Sequence, residues 1–100
     1  MTFVILTSKP GKYRTEAGDD LRPVEAYDYV AHGRNRAHFV IAEFLRETRV
    51  RIVDEGADGT AVVNNVPSKF FPRFDTLEEA RRELRQLANP NSPGVALIKT

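Results

Sequence analysis

The sequence predicts an α+β fold: a single antiparallel or mixed sheet of about five or six strands, with one C-terminal amphipathic helix packed on one face. Three observations carry that reading. Runs of β-branched and aromatic residues, bounded by Gly, Pro, Asn and Asp, recur between Phe3 and Val66. Only one segment, opening at Asp75, places apolar residues at helical spacing. A chain of 100 residues, 41% hydrophobic and 29% charged, can bury one modest core but not two, so residues 1–100 are read as one small domain.

Phe3 to Leu6 is a continuous apolar run ended by Thr7-Ser8-Lys9-Pro10-Gly11, which predicts a strand buried on both faces near the middle of the sheet. From Pro10 to Pro23 no helical or alternating period is evident, and the segment is expected to be a long loop. Val24–Ala31 and Arg36–Phe44 then form a hairpin around His32-Gly33-Arg34-Asn35. A type II′ turn with Gly33 in its first central position would set Val30 opposite Ala37 and Asp28 opposite Phe39. In that register Tyr27, Tyr29, Arg36 and His38 share the less apolar face.

Thr48–Asp54 alternates Val50 and Ile52 with Arg49 and Arg51 as a half-exposed strand should. Gly56-Ala57-Asp58-Gly59 turns it into a short strand over Ala61–Val66, giving a second hairpin. In Ser68–Phe74 three phenylalanines precede the helix; Phe74 is expected to anchor it to the sheet, while Phe70 and Phe71 cannot both face inward. Asp75, with Glu78 three positions later, reads as the N-cap of a helix whose apolar stripe is Leu77, Ala80, Leu84, Leu87 and Ala88. Asn89 to Gly94 stops it, and Val95–Ile98 forms a last apolar strand expected beside the first.

Composition excludes several functions. Without cysteine there is no disulfide, thiolate nucleophile, iron–sulfur cluster or sulfur-ligated zinc. A formal net charge of +1 provides no global field for nucleic acid or an anionic membrane. The apolar run after Met1 is too short to span a bilayer and lacks the flanks of a signal peptide, so cytoplasmic residence without a membrane partner is expected.

Candidate chemistry is sparse. Lys9-Pro10-Gly11-Lys12 lacks the spacing of a phosphate-binding loop, and Asp54–Thr60 lacks two of the oxygen ligands of a calcium loop. Asp19 and Asp20 read as turn residues, and the two histidines, His32 and His38, point to opposite faces in the type II′ register, although a three-residue loop would bring them onto one face. No catalytic residue, metal site or cofactor is predicted. The surplus aromatic surface instead points to a noncatalytic protein-interaction domain or accessory subunit. It would bind a partner protein or its own copy through Tyr27, Tyr29, Arg36, His38, Phe70 and Phe71. An alternative is RNA or single-stranded DNA binding through Tyr27, Tyr29, Arg34, Arg36, Arg49 and Arg51. A second alternative places a small-molecule or minor enzymatic site in a pocket under the 10–23 segment, with Tyr29 and His38 as polar contacts.

Overall fold

The computed structural model describes residues 1–55, 61–89 and 91–100. In chain order the elements are β1 (Thr2–Ser8), β2 (Tyr13–Glu16), β3 (Leu21–Ala31), β4 (Arg34–Phe44), β5 (Arg49–Glu55), β6 (Ala61–Pro67), a 3-10 turn (Ser68–Phe70), β7 (Arg73–Phe74), α1 (Leu77–Ala88) and β8 (Val95–Lys99). The fold is α+β, with its one described helix near the C-terminus. Its strands divide between two antiparallel sheets, of order β7-β1-β4-β3-β8 and β2-β5-β6. The predicted turn at Gly56–Gly59, with the calcium-loop comparison that included it, lies outside the described residues.

The main sheet is buried on both faces at its centre, which is why β1 and β4 carry so little polar alternation. On one face Phe3, Ala37, Phe39 and Ile41 pack under Ala80 and Leu84 of α1. On the other, Val4, Leu6, Leu21 and Ala42 pack with Val50 from the start of β5, and Phe71 lies against them. The paired strands β5 and β6 form the predicted second hairpin.

Four sequence expectations are corrected. The 10–23 segment is not a single loop: Tyr13-Arg14-Thr15-Glu16 pairs with Asp54–Arg51, and β3 already begins at Leu21. β8 does not lie beside β1; it pairs with β3 at the sheet edge, leaving Ile98 half exposed. The 33–34 turn is shifted by one residue, because His32 (φ 54°) and Gly33 (φ 79°) are its central pair, both left-handed as a type I′ hairpin requires. Finally, the N-cap is Thr76, whose side chain accepts from the Glu79 backbone N–H at 3.1 Å, while the Glu79 carboxylate accepts from the Asp75 N–H at 3.2 Å. The cap motif is thus the predicted one moved one residue on. Replacing Thr76 by alanine is expected to cost about 1 kcal/mol in denaturant unfolding, with the same replacement at Asp75 costing clearly less.

The turn shift alone would keep His38 on the face of Tyr27 and Tyr29, because it moves the pairing by two residues; the bulge decides which side chains face where. It lies between Tyr29 and Val30, and the register becomes Tyr27↔Phe39, Asp28↔His38 and Tyr29↔Ala37. Since side chains alternate along a strand, Tyr27 and Tyr29 join Phe39 on the helix face, and His38 points to the other side with Asp28.

Candidate interaction groove

β7 pairs only with Phe3 and Val4, so the rest of the β1 edge is left without a full ladder on that side. The second sheet comes round this edge. Thr15 donates its hydroxyl to the Thr7 carbonyl and its backbone N–H to Ser8 Oγ at 2.9 Å, tying β2 to β1 by side chains. Because β2 swings away from the main sheet, a recess of about 560 Å³ opens between the two sheets, the 71–74 segment and the C-terminal end of α1. Ile5, Ile52, Phe71, Phe74 and Leu87 supply its apolar surface. Tyr13, Asn64, Asp54 and Glu83 supply polar groups at its rim.

A second recess of about 540 Å³ adjoins it. The two share Thr7, Tyr13 and Leu87 and therefore form one continuous groove along the uncovered side of α1. The depression has a simple origin: small Ala37 sits on β4 beside Tyr29 of β3, and Lys9, Arg36 and Phe39 surround it. Leu87, on the predicted apolar stripe of α1, is 58% exposed here, whereas Ala80, Leu84 and Ala88 are buried. It forms a rim of the groove instead of joining the core.

The charges divide between the two recesses. Lys9 and Arg36 line the second recess and Asp54 and Glu83 the first, with Tyr13, paired with both Lys9 and Asp54, between those two. None of the four makes an ion pair with another described residue. Arg14, Arg22, Arg46, Arg51, Arg73 and Arg81 are each matched by a carboxylate.

No family model matches this chain, and neither a curated protein nor a solved structure does. The reading of the site therefore rests on its own geometry.

Of the predicted contact residues, Tyr29, Arg36 and Phe71 are brought together along this groove. Phe70 is 69% exposed but lies apart, with the Lys69 ammonium 5.5 Å from its ring centre. His38 faces the opposite side of the sheet, its Nδ1 2.8 Å from Asp28 Oδ1. That hydrogen bond holds the Asp28 carboxyl below its usual range. Tyr27 is committed to the structure, since its hydroxyl donates to Glu25 at 3.0 Å beneath α1. Burial, reinforced by the Glu25 carboxylate, pushes the Tyr27 pKa up.

The residues proposed for nucleic acid do not form one face. Arg34 sits at the hairpin turn, Arg51 is paired with Glu16 at 3.3 Å, and Arg49 belongs to the second sheet. Sequence reasoning missed Tyr13, Asp54, Asn64 and Leu87 as neighbours. The available signal was the four-residue alternation Tyr13-Arg14-Thr15-Glu16, too short to stand out from a polar loop.

Proposed function

We propose that this protein is a noncatalytic interaction domain, an accessory subunit that holds an extended segment of a partner protein in the groove beside α1. The observation that carries the reading is the groove's chemistry: apolar surface with Lys9 and Arg36 in one recess and Asp54 and Glu83 in the other, none of the four in an ion pair with another described residue. A fitting segment has an apolar centre, an acidic residue toward Lys9 and Arg36, and a basic residue toward Asp54 and Glu83. Opposite charges at the rim steer and orient such a segment, while the apolar centre supplies affinity.

The exposed position of Leu87 makes it the direct test. Selection from a random peptide-display library against the wild-type protein is expected to enrich peptides of that polarity. Binding should fall about tenfold or more for Leu87→Asp, which removes apolar contact and adds charge. Enriched peptides that bind Leu87→Asp as well as wild type would contradict the groove as the site.

A small apolar ligand is the second reading, favoured by the volume of the first recess, about 560 Å³, which falls in the range of ligand pockets. It lies under β2, within the 10–23 segment. A fragment screen by thermal shift separates the two readings: stabilisation by small molecules, abolished in Leu87→Asp, supports the ligand.

A further inference from the structure

A strand at the edge of a sheet carries a row of unpaired backbone N–H and C=O groups, and proteins usually blunt such edges with charge, proline, shortness or cover. Three of the four edges here are blunted. β7 has two residues, and Arg73 within it is paired with Glu47. β2 has four, with Arg14 and Glu16 both in ion pairs, and its outer side meets β1 through Thr15. β8 ends in Lys99, which reaches back to Glu25.

β6 differs. Its seven residues, Ala61-Val62-Val63-Asn64-Asn65-Val66-Pro67, contain no charge, and proline stands only at the end. It pairs with β5 along one side, and no other described strand lies along the other. Val62 and Val63 are 52% and 43% exposed, one on each face. β-branched residues are strong strand formers, so this edge is shaped to accept a further strand.

We propose that the occupant is β6 of a second copy of this chain, running antiparallel about a two-fold axis at Asn64. The sequence is self-complementary in that arrangement. Val62 falls opposite Val66, Val63 opposite Asn65 and Asn64 opposite its own counterpart, with no like charges facing. The two three-stranded sheets would merge into one of six strands, closing both exposed edges at once. Asn64 lines the groove, and directly opposed residues share a face, so both grooves would open on the same side of the merged sheet. The pairing does not depend on what the groove binds. A single strand-to-strand contact buries less than a standard interface, so the dimer is expected to dissociate in the micromolar range or above.

Sedimentation velocity over a concentration series tests this. Wild-type protein is expected to be dimeric at the highest concentrations and monomeric on dilution. In the double variant Val63→Lys, Asn65→Lys, each lysine faces its counterpart across the seam, away from the groove, and dimerisation should weaken roughly thirtyfold. Near-UV circular dichroism confirms that the variant is folded. Mixing it with Val63→Glu, Asn65→Glu should restore the dimer, because unlike charges then face each other. A wild-type protein that stays monomeric at every concentration overturns the proposal, as does a lysine variant that dimerises like wild type. A mixture that fails to recover dimer while each variant is folded overturns this register of pairing.

Discussion

Leu84→Ala is expected to lower the unfolding free energy by about 3 kcal/mol, the largest loss from any single truncation on α1. Leu84 is 1% exposed and sits in the cluster formed with Phe3, Phe39 and Ile41. It is the one large side chain of α1 that is fully buried, since Ala80 and Ala88 are small, Leu77 is half-buried and Leu87 faces the groove. Its removal leaves a cavity that the sheet, held by ladders on both sides, cannot close. For a domain of this size such a loss is a large share of total stability. Urea unfolding of Leu84→Ala and Leu87→Ala should separate the two positions clearly. Similar losses at both would contradict the placement of α1.

The second large effect is acid sensitivity centred on Glu25. This carboxylate is 8% exposed beneath α1, where it accepts from Arg81 at 2.6 and 3.2 Å and from the Tyr27 hydroxyl, and pairs with Lys99 at 3.3 Å. The hydrogen bonds from Arg81 lead in lowering its pKa from 4.5 to about 2, against the opposing effect of burial. Those same bonds hold the Arg81 guanidinium above its usual range.

A carboxylate depressed on folding contributes stability that is fully present above its unfolded pKa and disappears as pH falls through its folded pKa. The window therefore runs from about 4.5 down to about 2. A depression of that size corresponds to about 3 kcal/mol. Glu25→Gln should accordingly be less stable than wild type at neutral pH, with the gap closing as pH falls through this window. Denaturant titrations at several pH values check both parts. A gap that stays constant to the bottom of the window would show that the Glu25 network carries no linked proton.

The sequence made the class of this fold legible because its strongest signals are local. The Phe3–Leu6 run, the Val50 and Ile52 alternation and the capped stripe through Leu84 each need only neighbouring residues to be read. Register was less legible. A type I′ turn that places His32 at positive φ competes with a type II′ turn led by Gly33, and local chemistry favours the glycine. The turn shift leaves the faces as predicted, and it is the bulge at Tyr29/Val30 that moves His38 to the other side from Tyr27 and Tyr29.

The groove was only half legible for a related reason. Tyr29, Arg36 and Phe71 stand out by residue type, but their neighbours Asp54, Asn64 and Leu87 come from elements far apart in the chain. They meet only because β2 leaves the main sheet and carries β5 and β6 with it. Nothing in a four-residue polar strand announces that turn, and β8 shows the same limit. An apolar run tells that a strand exists but not its place: the β1 edge is held by β7, and β8 takes the β3 edge.

We propose that the groove beside α1 binds an extended partner segment through its apolar surface and its opposite charges. Backbone amide NMR shifts recorded while titrating an enriched peptide locate the bound segment. The predicted result is that the largest changes fall on Lys9, Tyr13, Arg36, Asp54 and Leu87, and that Arg36→Glu weakens peptides carrying an acidic residue at that end more than peptides lacking it. Changes concentrated at Asp28 and His38 on the opposite face, with the groove residues unmoved, would contradict it.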